Sequence, residues 1–412
     1  MSVDSDVRRD PPDEKQHRRL FGLHPLDVLA LALLIAGVLC VVTGGLSRTE
    51  TSSILNRILP LLLFLGTVII LAELTGRAQT FDVVATRLAI TARGRYSLLF
   101  ALCVLMAVVT TVGLNLDTTA VLLTPIMLAM AARVGLPLLP LAMTTALLAN
   151  TASLLLPVGN LTNLLAAGRV ALGPVDFAAR MAAPEAASVA VTMAVLWLGY
   201  WRKSRRGGAD RYELPEPFRP RDRVLCAIAG VACVLFVAAI LLGVTLGVAS
   251  AAAAAVTVLA FAVREREALR WSLLPWRLLA TVTGMFLVVQ TITVHGLGTL
   301  ITHLAGSSNS YTGQLRTAGT GALLANLLNN LPAYVAGESA VPVANHSQLL
   351  ALLIGTNAGP VITAWASLAT LLWYERCAAF GLAIPKRRML VNGTILAVVA
   401  VFASTTALAL TG

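Results

Sequence analysis

Long apolar runs dominate the chain. Runs of spanning length fall near 25–46, 54–75, 181–201, 223–244, 246–263, 276–302 and 390–411. Each approaches the about 20 apolar residues that a helix needs to cross a bilayer core. The runs are continuous and do not alternate, which excludes a membrane β-barrel. Three further regions, 97–134, 138–170 and 316–373, are apolar but interrupted by polar residues, Pro and Gly. Lipid cannot satisfy exposed backbone groups, so broken segments of this kind are enclosed by protein or line a cavity. In transporters they mark the substrate site. The pattern predicts an all-α polytopic membrane protein of about 10–11 spans, with broken transmembrane helices.

Composition agrees with this reading. Of 412 residues, 57% are hydrophobic and 12% charged, against about a quarter charged in soluble domains. The net charge of +11 would suggest a nucleic-acid partner in a soluble protein. Here the basic residues sit in short loops between apolar runs, so membrane topology accounts for them and no nucleic acid is expected. The five cysteines form no CxxC pair, and disulfides are not expected. Cys226 and Cys233 are spaced to share a helix face, as packing residues or as a soft-metal contact.

Lys and Arg sort by loop. With the N-terminus inside, and with 97–134 and 316–341 each returning to the side they enter from, the inner segments hold 26 basic residues and the outer segments 5. The positive-inside rule then places the N-terminus in the cytoplasm and the C-terminus outside, in a multi-pass protein of the inner (plasma) membrane. Residues 1–24 read as a cytoplasmic tail, 25–201 as a first transmembrane half, 202–222 as a basic cytoplasmic linker and 223–412 as a second half. The halves carry a faint repeat. At constant offset Asn150 meets Asn357, Gly159 meets Ala366, and Asn160 meets Ser367. A polar break precedes each, NLDTTAVLLTP at 115–125 and NNLPAYVAG at 329–337. An odd number of crossings per half makes the expected repeats inverted, each with a re-entrant hairpin.

No nucleotide-binding loop, HExxH or Cys/His metal spacing is present, so no cofactor and no enzymatic role are expected. Asp117 is the most informative residue. An ionisable group at membrane depth is a functional candidate by default, and a carboxyl there can take up and release a proton. The alternative is that it caps a helix in the headgroup region, with Thr118 and Thr119 starting the turn. Three clusters of amides and hydroxyls accompany it: Asn150, Thr151, Ser153, Asn160, Thr162 and Asn163 around Pro157 and Gly159; Asn326, Asn329 and Asn330 before Pro332; and Thr356, Asn357, Thr363, Ser367 and Thr370. Asn160 is placed to cap a half-helix after the break. Such residues also serve as interhelical hydrogen-bond glue, but matching clusters in two halves favour a shared central site. Asn115 stands in the tip that carries Asp117. Glu73, Glu185 and Glu338 lie near run ends, where snorkelling or capping explains them as well as function does; Gln290 and His295 read as satisfied interior residues. Apart from Arg133, no basic residue falls within 110–163 or 320–373. An anion carrier would be expected to place Arg or Lys there. A neutral, hydroxyl-bearing solute suits the donor set better.

ANLLNNLPAYVAG (325–337) and GTNAGPVITAWASLATLLWYERC (355–377) resemble the second half of the arsenite/antimonite permease family, within the ion-transporter superfamily. LNLDTTAVLLTPIML (114–128) and ANTASLLLPVGNLTNLL (149–165) are similar to its first-half motifs. The likeness covers about 25–412. It implies export of trivalent arsenite or antimonite by proton antiport, in some members assisted by a soluble ATPase subunit, through two inverted repeats. Carried over, the hairpin tips are Asn115–Thr119 and Asn329–Pro332, and the broken helices centre on Ser153–Asn160 and Gly359–Ser367. The chain departs from the family at Asn150 and Asn357, where some members carry Asp. The expectation is an arsenite or antimonite exporter with Asp117 as the proton carrier. Substrate would be held by Asn115, Thr118, Thr119, Asn150, Thr151, Ser153, Asn160, Asn329, Asn330, Asn357, Thr363 and Ser367. The alternatives are a sodium- or proton-coupled carrier of citrate or dicarboxylates and a passive metalloid channel.

Overall fold

The computed structural model describes residues 25–133, 135–206 and 211–411. The expected tail at 1–24, Val134, four linker residues (207–210) and Gly412 lie outside the described residues. In chain order the helices are α1 (Pro25–Val42), α2 (Arg48–Arg77), α3 (Thr80–Thr91), α4 (Tyr96–Gly113), α5 (Leu116–Thr118), α6 (Thr124–Arg133), α7 (Leu138–Thr151), α8 (Leu161–Arg169), α9 (Pro174–Leu196), α10 (Lys203–Arg206), α11 (Arg223–Leu241), α12 (Leu246–Arg264), α13 (Trp276–Ile292), α14 (Gly298–Ala305), α15 (Tyr311–Leu328), α16 (Asn330–Ala340), α17 (His346–Ala358), α18 (Leu368–Ala379) and α19 (Lys386–Thr411). No β-strand occurs among the described residues. Seven of the described helical stretches are long and apolar enough to cross a membrane: Arg48–Arg77, Tyr96–Gly113, Pro174–Trp201, Arg223–Leu241, Leu246–Arg264, Trp271–Ala305 and Lys386–Thr411. Helices α1, α3 and α10, the α5–α6 arm, the pairs α7–α8 and α17–α18, and the α15–α16 hairpin make up the rest. The chain is an all-α polytopic membrane protein, as its hydropathy predicts.

Small residues let the helices approach closely, which is how membrane helices pack where lipid offers no hydrophobic drive. A Cβ added to Gly284 on α13 would collide with the Leu33 backbone of α1, and one on Gly355 of α17 with the Ala318 carbonyl of α15. Helix ends expected on one side of the membrane meet one another. Arg277 at the start of α13 pairs with Asp27 at the start of α1, and Arg77 at the end of α2 donates to Ala268 O beyond α12 (2.5 Å). On the other side, Arg180 of α9 reaches Thr411 O of α19 (3.2 Å), and Tyr311 meets Thr406 (2.8 Å).

Two hairpins interrupt this frame. In the first, α4 turns at Leu114 and returns through α5 and α6. Both of its long arms pack on α7. Its tip stops inside the span of α11: a Cβ on Gly113 would touch Val237, a turn short of Leu241. The returning arm comes back to α3, whose Thr86 and Ala89 share a small cavity with Ile126 and Met130. Hydropathy does not predict α3 itself. Arg211–Asp222 of the linker lies back over it, with Tyr212 donating to Ala89 O (2.5 Å), its ring edge-on to Tyr96, and Gln79 accepting from Arg221 N (2.9 Å). Residues 211–222 of the linker are therefore packed against α3. The second hairpin turns at Asn329, whose φ of 109° is a left-handed conformation that L side chains rarely adopt.

Candidate functional site

Helix α7 ends at Thr151 because Ser153 to Gly159 cannot continue it. Pro157 lacks an N–H, and at Gly159 a Cβ would lie 3.0 Å from Ser153 O. The backbone freed by the break finds side-chain partners. Ser153 Oγ donates to Asn150 O (2.7 Å), and Asn163 Nδ2 donates to Ser153 O (2.5 Å) and Leu156 O (2.9 Å). Asn160 caps α8, as the sequence predicts, by accepting from Thr162 N (3.2 Å). Helix α9 supports the break from behind. Ser188 Oγ donates to Thr151 O (2.7 Å), Thr192 Oγ1 to Thr151 Oγ1 (2.8 Å), and Glu185 Oε2 accepts from Leu154 N (2.9 Å).

The second break runs from Gly359 to Ser367, and Ser367 caps α18 by accepting from Thr370 N (3.1 Å). The residues that the repeat aligns, Asn160 and Ser367, thus do the same job. Asn326 of α15 fastens this break. Its Oδ1 accepts from Ile362 N (3.3 Å) and Thr363 N (3.2 Å), and its Nδ2 donates to Gly359 O (2.8 Å). Thr363 Oγ1 donates back to Asn326 O (3.0 Å). At the hairpin tip Asn329 Nδ2 reaches Trp365 O (2.9 Å), and the Asn330 backbone N–H donates to Ala366 O (2.8 Å).

The two breaks are joined across the middle of the protein. Asn357 accepts from Thr162 Oγ1 (2.6 Å) and donates to Asn163 Oδ1 (2.6 Å). Asn150 Nδ2 donates to Thr370 Oγ1 (3.3 Å), which also bonds Ser367 Oγ (2.9 Å). The packing is reciprocal: α18 lies against α5, α6 and α7, while α8 lies against α16 and α17. The first hairpin tip therefore meets the second half's broken helix. In that tip Asn115 Oδ1 accepts from Thr118 N (2.6 Å), and Thr119 Oγ1 donates to Asn115 O (2.8 Å) while accepting from Thr111 Oγ1 (3.1 Å). Asn115, not Asp117, is the cap. Asp117 sits in the first turn, 5% exposed.

Among the described residues of α5 and α7, three buried polar atoms have no hydrogen-bond partner: Asp117 Oδ1, Thr118 Oγ1 and Asn150 Oδ1. They lie on α5 and α7, which touch each other and α18. Unpaired buried polar atoms are costly, so these touching helices are a place where a hydroxyl-bearing solute could be held. No Lys or Arg occurs within 96–132, 134–168 or 317–375. Among the described residues no group of three or more His, Cys, Asp or Glu is placed to hold a metal ion.

The predicted residues thus separate into two groups. Asn115, Asp117, Thr118, Thr119, Asn150, Thr151, Ser153, Asn160, Asn357 and Ser367 are all buried around the meeting of the two halves. Asn329 and Thr363 are only half-buried and, with Asn330, are engaged on the backbone of the second break. Glu185 is not near a run end. Its helix begins at Pro174, ahead of the expected 181, which places this carboxyl deep in the span at 5% exposure. Nor is His295 a satisfied interior residue: it is exposed in a kink at Thr293–Leu297, with its Nδ1 2.7 Å from Thr291 O. Sequence reasoning missed the supporting role of Glu185, Ser188 and Thr192. Their signal is a polar stripe at i, i+3 and i+7 on one face of an otherwise apolar helix.

Comparison with known proteins places this architecture. The sequence profile described as citrate transporter (CitMHS) matches residues 20–370. The arsenical pump membrane protein of Yersinia enterocolitica is 30% identical over 367 residues, covering 83% of this chain and 84% of the relative. That of Escherichia coli K12 is 29% identical over 400 residues, covering 91% and 92%. A second Escherichia coli arsenical pump membrane protein is 29% identical over 367 residues, covering 83% and 84%. The broken helices, the paired hairpins and the asparagine-rich seam between them are thus those of a multi-pass membrane protein that belongs to the citrate transporter (CitMHS) family.

Proposed function

We propose that this protein exports trivalent arsenite or antimonite from the cytoplasm in exchange for protons, by alternating access. The observation that carries the reading is the chemistry of the seam. It offers amides, hydroxyls and the Asp117 carboxyl, with no Lys or Arg in 96–132, 134–168 or 317–375, and the unpaired Thr118 Oγ1 and Asn150 Oδ1 lie on the same two touching helices as that carboxyl. Arsenite near neutral pH is mainly an uncharged trihydroxide, which needs hydrogen bonds rather than a counter-ion. Citrate would bring carboxylates into a region without Lys or Arg, at a high desolvation cost. The relatives' name as arsenical pump membrane proteins points the same way. The protein acts as a carrier in this reading and makes or breaks no covalent bond.

Moving an uncharged solute uphill requires coupling, and Asp117 is the residue assigned to carry the proton. The seam is closed in the structure described here, with Asn150, Asn160 and Asn357 at most 2% exposed. Substrate therefore reaches it only when a hairpin or a half-helix moves, which is the motion alternating access requires. The two halves, 25–201 and 223–412, act as inverted repeats in this scheme. The N-terminus is cytoplasmic in the inner membrane, because that orientation puts the basic ends inside. Exposed Arg202, Lys203 and Arg205 are the surface assigned to a soluble ATPase subunit where one takes part.

The test is arsenite uptake into everted membrane vesicles with and without an imposed proton gradient, in the presence and absence of citrate and sodium. Saturable, gradient-driven accumulation that citrate does not compete is expected. Uptake of citrate in place of arsenite, or dependence on sodium, would replace this reading with that of an organic-anion carrier. Non-saturable flux without counter-transport would make the protein a channel.

A further inference from the structure

A second buried carboxyl stands at the first broken helix. Glu185 lies eleven residues into the 28-residue stretch Pro174–Trp201, so it is about 16 Å from one end and about 24 Å from the other. One oxygen, Oε2, accepts from the Leu154 amide inside the break (2.9 Å). The other, Oε1, is buried and no donor meets it. A buried carboxylate needs several donors or a cation to offset its desolvation. This one has a single N–H.

No charged group compensates it from the neighbouring elements. Helix α7 and the break at 152–160 carry no titratable side chain. Helix α19 packs on α9 with Ser404 donating to Pro184 O (2.9 Å), and its Lys386, Arg387 and Arg388 lie in its first turn, beside Gly199 at the far end of α9. Helix α11 contributes Arg223, Cys226 and Cys233, and the turn after α9 contributes Tyr200, over whose ring the Arg388 guanidinium lies. On α9 itself, Asp176 lies in the first turn and Arg180 is engaged with Thr411 O. The second half offers an internal comparison. Asn392 follows Val361 at the same 31-residue spacing by which Glu185 follows Leu154. There the side chain is neutral and lies against Gly199, and Gly393 packs directly on the Val361 carbonyl. Among the described residues, an ionisable side chain holds the first break at this position and a neutral one stands at the matching position of the second.

We propose that Glu185 is a second proton-binding site of the transport cycle, acting as a positioning latch on the first broken helix. Ionised, it grips the Leu154 N–H through a charge-assisted hydrogen bond. When a proton from solution binds Oε1, the carboxyl is neutral and the grip weakens, so the segment 152–160 opens more readily. Releasing that proton to solution restores the carboxylate and the grip. The role in transport rests on the proton-coupled reading given above, but the latch itself does not require any substrate.

The experiment is amide hydrogen exchange of peptides covering 152–163, in purified protein in lipid nanodiscs, across a pH series and corrected for intrinsic exchange. A charge-assisted bond exceeds a neutral one by enough to change local opening about tenfold. Wild-type protection is expected to fall about tenfold as pH drops through the titration of Glu185. Glu185→Gln, which keeps an acceptor but cannot ionise, should show low protection at every pH. Peptides covering 359–367 should be insensitive in both proteins. A pH-independent wild type, or a Glu185→Gln variant that keeps the wild-type pH response, overturns the latch. The wild-type series decides alone if the variant does not accumulate. If the latch holds while vesicles take up no arsenite, the transport reading fails and the latch stands.

Discussion

Replacing Asn357 by Ala tests whether the seam holds the two halves together. The side chain is fully buried and makes two bonds of 2.6 Å, one from Thr162 Oγ1 and one to Asn163 Oδ1. Each such bond contributes about 1 kcal/mol net, and interhelical bonds in membranes average about 0.6 kcal/mol with a maximum near 1.7. Alanine removes both. The Thr162 hydroxyl can rotate to another acceptor, but Asn163 Oδ1 is left buried without its donor, which adds about 1–3 kcal/mol. The expected destabilisation is about 2–4 kcal/mol. It should be measured by reversible unfolding in mixed micelles, where the unfolded reference is also membrane-like. Asn163→Ala, measured alone and combined with Asn357→Ala, completes a double-mutant cycle. The coupling should be about 1 kcal/mol, because the second truncation removes the stranded acceptor. A loss under about 0.5 kcal/mol for Asn357→Ala, or additive losses in the cycle, would refute the claim that this contact joins the halves.

Other outcomes follow from the same geometry. Asp117→Asn should abolish accumulation of arsenite driven by a pH gradient in everted vesicles while the purified protein stays monodisperse; retained driven uptake would remove Asp117 from coupling. Gly355→Leu should prevent α17 from seating on α15, since even a Cβ collides with Ala318 O, and its thermal midpoint should fall well below that of Gly319→Leu, where nothing lies within 4 Å. At the exposed start of α11, Arg264 and the amides of Leu225 and Val224 hold the Asp222 carboxyl below its ordinary value of 3.8. A depressed folded value means the contribution is present above that ordinary value and is lost as pH falls through the folded one. Thermal unfolding of wild type between about pH 5 and about pH 3 should therefore lose an acid-dependent increment that Asp222→Asn lacks.

Local chemistry made much of this protein legible before any tertiary contact was known. Hydropathy places the spans, because a backbone in lipid must satisfy itself within helices. Pro157 and Gly159 mark the first break, because one lacks a donor and the other accepts a close carbonyl. Asn160 and Ser367 cap the half-helices that follow, because their short polar side chains reach an amide two or three residues on. At the first hairpin tip the sequence offered Asp117 as the alternative cap, and the structure gives that role to Asn115. One error was of a boundary: starting α9 at 181 rather than Pro174 made a mid-span carboxyl look like a terminal one.

The sequence by itself determined that this chain is a helical membrane protein with two paired sets of breaks rich in amides and hydroxyls. Only the tertiary structure decided which groups meet at them. Glu185 holds Leu154 from 31 residues away, Asn326 holds Thr363 from 37, and Asn357 meets Thr162 from 195. Hydropathy and capping depend on near neighbours along the chain. A hydrogen bond between distant segments depends on how helices cross and which faces they turn to each other, and that is set by small-residue contacts such as Gly355 on Ala318. An asparagine looks the same in sequence whether it fastens a break, as Asn326 does, or bridges the halves, as Asn357 does. Packing alone separates the two roles.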